Sequence, residues 1–172
     1  MNKFLATIFA LCFICSGTLS QQTYNNYKYH FRLNLPDEWK INDSDTNGVV
    51  LMMAAAGNNA ELNVSINEQE DFGNKSLAEV DLEDFISPIE EQFKSQYKDY
   101  RTVSYGKMVI DNLKSFYIIY VIVENDIRFK GSEYFFIKKG RLYTITAGCP
   151  ENEYVNYGPV FKDCVNSFRF EK

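Results

Sequence analysis

Residues 115–147 constrain the fold more than any other stretch, because they read as three consecutive strands joined by two tight turns. The first, 115–123, runs Phe-Tyr-Ile-Ile-Tyr-Val-Ile-Val after its serine. A run that is aromatic or β-branched almost throughout suits a strand buried on both faces better than a helix. Glu124, Asn125 and Asp126 are turn chemistry. In the second strand, 127–137, Ile127 and Phe129 face one way and Arg128 and Lys130 the other. Lys138, Lys139 and Gly140 supply a short loop in which Gly140 is free to take a positive φ. The third strand, 141–147, puts Tyr143, Ile145 and Ala147 on one side and Thr144 and Thr146 on the other. Such a meander leaves apolar surface that another layer must cover.

The flanking segments supply candidates for that cover. Residues 21–26 read as a loose polar leader. Residues 27–35 read as a strand with Tyr29, Phe31, Leu33 and Leu35 on its apolar side, followed by a turn at Pro36 that folds Trp39 back onto the core. Residues 42–48 form a polar loop, 49–55 and 61–67 two more strands, and 101–110 another. Between them lies a helical region. Ser76 with Glu79 makes one capping box, and Ser87-Pro88-Ile89-Glu90 makes a second with proline at the first helical position. That pattern predicts two helices or one kinked at Pro88. Leu82, Phe85, Ile86, Ile89 and Phe93 repeat at helical spacing. Tyr154, Tyr157, Phe161, Cys164, Val165 and Phe168 form the apolar side of a C-terminal helix, which ends in an extended tail at Phe168-Arg169-Phe170.

The N-terminus carries an export pattern. Lys3 precedes an apolar run over 4–14 that is too short to span a bilayer, and Ser16, Gly17 and Ser20 are small. We therefore expect a signal peptide over 1–20 and a single domain over 21–172, exported to the periplasm or secreted. A lipid anchor at Cys15 is the weaker alternative, because Ile14 stands where a small residue is normally needed. The remaining chain has 17 basic and 23 acidic residues, the 18 of the full sequence less Lys3. A net acidic protein is poorly suited to nucleic acid, where binding rests on phosphate neutralisation. No other stretch is long and apolar enough for a transmembrane helix.

Two cysteines remain, and exported proteins can keep disulfides. Cys149 ends the third meander strand and Cys164 lies in the last helix. An unbroken helix between them would hold them beyond bridging distance, whereas an interruption at Gly158-Pro159 would bring them closer. Both a bond and a plain core role for Cys164 are open at this point.

Candidate sites are few. Asp43, Asp45, Asn47 and Gly48 match the first half of a calcium loop, with side-chain oxygens on alternate residues and a glycine at the sharp turn. The closing position holds Ala54 rather than glutamate, and the same residues suit an ordinary hairpin turn. Glu68, Glu70, Asp71, Glu79, Asp81, Glu83, Asp84, Glu90 and Glu91 form an acidic stretch relieved only by Lys75. It could dock a basic partner or gather cations, but a solvated helix face accounts for it more simply. His30 is the only histidine, which leaves no His-paired metal site, and no serine sits in a nucleophile-elbow glycine pattern. There is no phosphate loop or dinucleotide fingerprint. The sequence therefore assigns no catalytic, cofactor-binding or metal residue, and we expect no enzyme.

Phe31-Arg-Leu-Asn-Leu-Pro36-Asp-Glu-Trp39, a long helix over about 76–97, the meander with Tyr143-Thr-Ile-Thr146 and the closing Ser167-Phe168-Arg169-Phe170 together resemble PsbP-like domains. The likeness extends over nearly the whole chain beyond residue 20. It departs at Asp111-Asn112-Leu113, where such domains commonly carry glycine. The resemblance implies an α+β fold, a three-layer α/β/α sandwich with a central antiparallel sheet and helices on both faces. It also implies a non-catalytic accessory role, since what members of that family do, the Ran-binding Mog protein among them, is mostly to bind. We accordingly expect a protein partner in the envelope, with binding of a small ligand or calcium as the alternative.

Overall fold

The structure is a computed structural model that describes residues 21–42, 47–57, 59–68 and 76–171. The expected signal peptide, the Cys15 anchor, and Asp43 and Asp45 of the calcium-like loop lie outside the described residues.

The described residues form ten strands and two helices, in the order β1 (Gln21–Asn26), β2 (Phe31–Pro36), β3 (Lys40–Asn42), β4 (Val49–Ala54), β5 (Glu61–Glu68), α1 (Leu82–Gln96), β6 (Tyr100–Ile110), β7 (Leu113–Glu124), β8 (Ile127–Lys138), β9 (Arg141–Pro150), α2 (Tyr154–Ser167) and β10 (Arg169–Phe170). A seven-stranded sheet has the order β3-β4-β5-β9-β8-β7-β6, and a three-stranded sheet the order β1-β2-β10. Every pairing is antiparallel. The fold is thus a predominantly antiparallel sheet with two helices.

The meander forms as its turns dictate. The strands β6 to β9 are joined by two-residue loops at Asp111-Asn112, Asn125-Asp126 and Lys139-Gly140, and all six residues have positive φ. Two consecutive positive φ values define the turn whose twist matches that of paired strands, and Asn, Asp and Gly adopt them most cheaply. The Asp111-Asn112 turn needs no glycine for this reason. It is also tethered, because the Asp111 carboxylate accepts a hydrogen bond from the Phe170 backbone N–H at 3.0 Å.

Side chains of the meander enter two apolar clusters by alternation. On β8, Tyr134 and Phe136 pack with Phe161, Cys164 and Val165 of α2 and with Phe31, Leu33 and Leu35 of β2. Their neighbours Phe135 and Ile137 pack with Ile86 and Phe93 of α1 and with Phe116, Ile118, Tyr120 and Ile122 of β7. The predicted burial of the 115–123 strand follows from this alternation. Trp39 lies in the first cluster, edge-on to Phe161 at 6.1 Å between ring centres.

Several expectations are corrected. The polar leader is the strand β1, paired with β2 through a hairpin at residues 27–30, so the predicted 27–35 strand starts late. Tyr24 and Asn26 are its buried residues, and the hydroxyl of Tyr24 accepts from the Asn26 amide, so its inward side is partly polar and lacks an apolar signature. The short strand β3 was not anticipated. The box at Ser87-Pro88 caps nothing, because α1 runs through Pro88 as one helix. Ser87 and Pro88 are exposed, so the carbonyl that Pro88 cannot bond is left to water. Asp81 is the N-cap instead, accepting from the backbone N–H of Glu83 at 2.8 Å and of Asp84 at 3.4 Å. Ser76 does cap, but a three-residue 3-10 turn (Leu77–Glu79) that precedes α1. Asp81→Ala is expected to cost about 1 kcal/mol, read from the denaturant midpoint, while Ser87→Ala leaves the midpoint in place.

α2 continues through Gly158 and Pro159, and Cys149 and Cys164 are both buried free thiols in the first cluster. The plain core role is the one realised. Burial pushes the Cys149 thiol up to about 11 and the Cys164 thiol up to about 12, so both stay protonated and inert.

Candidate functional site

The residues singled out from the sequence do not converge. His30 is exposed at the end of the β1–β2 hairpin with φ of 54°, a conformation open to a turn histidine, and its carbonyl accepts from the Glu171 backbone N–H. Asn47 and Gly48 form a turn with positive φ at both, the geometry of the ordinary hairpin reading. Among the described residues no group of three or more His, Cys, Asp or Glu side chains could hold a metal ion. The described part of the acidic stretch is largely engaged in structure. Glu68 pairs with Arg141 at 2.9 Å, Asp81 caps α1, Glu83 accepts from the Tyr105 hydroxyl at 2.7 Å, and Glu90 accepts from the Thr102 hydroxyl and lies 3.7 Å from Lys94.

A different place gathers chemistry. A trough of about 400 Å³ opens where the last turn of α1 crosses the sheet, over β5, β9 and β8. Its walls are aromatic, with Phe93 from α1, Tyr97 just after it, Tyr120 from β7 and Phe129 from β8. Its floor exists because two glycines face each other across the β8–β9 pairing, Gly131 opposite Gly148. Tyr120 is the cross-strand partner of Gly131 and lays its ring over it. A Cβ at Gly131 would come within 2.6 Å of that ring, whereas a Cβ at Gly148 would meet nothing closer than 3.7 Å. Gly131→Ala is therefore expected to displace Tyr120 and destabilise the domain by roughly 1–3 kcal/mol. Gly148→Ala is expected to be neutral or better, since alanine suits a strand more than glycine. Thermal unfolding of the two variants reads the contrast.

Glu133 stands at the inner end of this trough. It lies on the same side of β8 as Phe129, Gly131, Phe135 and Ile137, and it pairs across the sheet with Ile118 and Thr146. Among the described residues it makes no ion pair, and burial alone pushes its carboxyl up to about 7. Burial disfavours the charged form, and no cation among the described residues offsets it. Its charge is felt by the surrounding phenols. Burial first, then Glu133, raises Tyr120; burial, then Glu124 and Glu133, raises Tyr97. Glu61 and Glu124 stand exposed on the rim. Lys130 contributes to the lining, but its ammonium sits over the Tyr154 ring, 4.2 Å from the centre. Sequence reading passed over Glu133. The available signal was a lone carboxylate within the every-second-residue series Phe129, Gly131, Glu133, Phe135, Ile137, which is otherwise apolar or glycine.

This antiparallel α+β domain has relatives. The PsbP family model matches residues 20–170, and the chain belongs to that family. Among solved structures it is similar to the cyanobacterial PsbP (CyanoP) of Synechocystis, with a TM-score of 0.68, 16% identity, and 96% of this chain and 98% of that chain covered. A variant of protein Mog1 matches with a TM-score of 0.61 and 9% identity, over 88% of this chain and 96% of that one. LpqN of Mycobacterium tuberculosis, described as involved in cell envelope biogenesis, matches with a TM-score of 0.57 and 8% identity, over 89% and 91%. At these identities the likeness is one of fold. No curated protein sequence matches the chain. No helix among the described residues is long and apolar enough to cross a membrane.

Proposed function

We propose that the protein is an exported, non-catalytic accessory domain that binds another envelope or secreted protein, and that the trough around Glu133 is part of its binding surface. The observation that carries the binding half is the carboxylate itself. Glu133 is half-buried and largely desolvated, and with no cation beside it among the described residues its ionised form carries a cost that a partner's cation would offset. Membership of the PsbP family and the envelope role given for LpqN support the setting. The pattern at Lys3 and residues 4–14 supports export. In this reading the seven-stranded sheet is the middle of three layers, with α1 on one face and α2 with the small sheet on the other. The alternation of Tyr134 and Phe136 against Phe135 and Ile137 supports that arrangement.

The test is capture from the native envelope with tagged protein, run in parallel with Gly148→Phe, which fills the trough without disturbing the core. A specific partner recovered with the wild type and lost with the variant is the expected result. A partner recovered equally by both would remove the trough from the account. The non-catalytic half fails if the purified protein turns over hydrolase substrates and loses that activity on His30→Ala.

A further inference from the structure

The trough has a definite electrostatic character. Three carboxylates belong to it, Glu133 at its inner end and Glu61 and Glu124 on its rim, and among the described residues no cationic head enters it. The C-terminal end of α1 borders the same space through Phe93 of its last turn and the capping residue Tyr97. The end of a fifteen-residue helix carries partial negative charge from its unpaired carbonyls and favours cations. The aromatic walls add a third preference of the same sign, because the face of a ring attracts a cation within about 6 Å. Desolvation inside the trough also holds the Glu133 carboxyl above its ordinary range, an effect that a seated cation would reverse. A bare metal ion would need several oxygen ligands, and the single inner carboxylate does not supply them. A cation on an apolar stem meets every one of these conditions.

We infer that the trough seats a lysine side chain of the bound protein, its ammonium against the Glu133 carboxylate and its methylenes along the rings of Phe93, Tyr97 and Tyr120. Lysine suits the site better than arginine. Its charge sits on one atom with three rotatable N–H donors, which can meet a single carboxylate from any direction the trough allows. A guanidinium asks for coplanar, two-point acceptors. Seating the ammonium favours the ionised acid, so binding below the acid's titration releases a proton and binding strengthens as pH rises from 6 to 8.

This inference rests on the protein-binding reading, and its test is separable from that of the reading. The probe is the peptide acetyl-glycyl-lysyl-glycine amide, titrated at pH 8 and low salt while the amide resonances of Gly131, Glu133 and Gly148 are followed by NMR. Saturating shifts confined to the trough are expected. Replacing the lysine by norleucine in the peptide, or Glu133 by glutamine in the protein, is expected to weaken binding at least tenfold. The amide spectrum of Glu133→Gln away from the trough shows that the variant is folded. Absence of shifts, equal binding of the norleucine peptide, equal binding of an arginine peptide, or unchanged binding by Glu133→Gln would each overturn the inference. If Gly148→Phe still abolishes partner capture while the lysine peptide gives no shifts, the accessory reading stands and the lysine inference falls. Saturating lysine shifts with no dependence of capture on the trough do the reverse.

Discussion

Phe136→Ala is expected to cost about 3–5 kcal/mol of stability, the range for removing a fully enclosed aromatic ring. Phe136 is 0% exposed. Its ring stacks on Tyr143 of β9 at 5.4 Å and meets the edges of Phe168 and Phe170 at 4.9 and 6.1 Å. Phe168 in turn stacks on Phe31 of β2 at 5.0 Å. One ring therefore links the central meander to the C-terminal tail and, through it, to the small sheet. The loss combines the transfer of the ring to water with a cavity that three aromatic neighbours cannot close. Val155→Ala, at a position 76% exposed on α2, is expected to change stability by no more than about 0.5 kcal/mol. Denaturant unfolding of the two variants checks the difference. Similar midpoints would mean that the aromatic cluster does not hold the layers together.

Glu133→Gln should have the second largest effect, and its sign depends on pH. The native carboxyl titrates at about 7 against an ordinary value of 4.5. Between those values the native state holds a proton that the unfolded chain has released, so stability falls as pH rises. The protein is most stable in this respect below 4.5 and has lost the contribution once pH passes 7. The 2.5-unit difference between 7 and 4.5 corresponds to about 3 kcal/mol at most, trimmed by whatever water reaches the side chain from the trough mouth. Glutamine is neutral throughout. The variant is therefore expected to match the wild type near pH 4 and to exceed it by roughly 2–3 kcal/mol at pH 8. Tyr97, Tyr100, Tyr120, Glu61 and Glu124 surround the group, and the tyrosines do not titrate in this window, since burial heads the causes that raise all three. Unfolding free energies measured from pH 4 to pH 8 read this directly. Parallel profiles for wild type and variant would assign the pH dependence elsewhere.

Much of this architecture was legible in the chain because the local signals agree with one another. Asn125-Asp126 between two β-branched runs can do little but turn, and the spacing of Leu82, Ile86, Ile89 and Phe93 can do little but form one side of a helix. What was not legible depends on competition or on distance. The sequence offers capping boxes at Ser76 and Ser87, and neither starts α1. Asp81 prevails over Ser87 because the apolar stripe already begins at Leu82, so a helix starting at Pro88 would abandon half of it. Gln21–Asn26 forms a strand because β2 offers an unpaired edge, which no property of those six residues announces. Glu133 reads as one more charge in a strand until Gly131 and Gly148, seventeen residues apart in the chain, are found opposite each other beneath it. The trough is a product of register, and register comes from the turns.

Among the described residues a lone, desolvated carboxylate is held without a cationic partner in an aromatic-walled trough on the sheet. A carbon-detected NMR titration of the Glu133 side-chain carboxyl tests it most directly. A midpoint near 7 is the result expected here. A midpoint in the ordinary range near 4.5 would mean that Glu133 is solvated or already paired, and the site built around it would not exist.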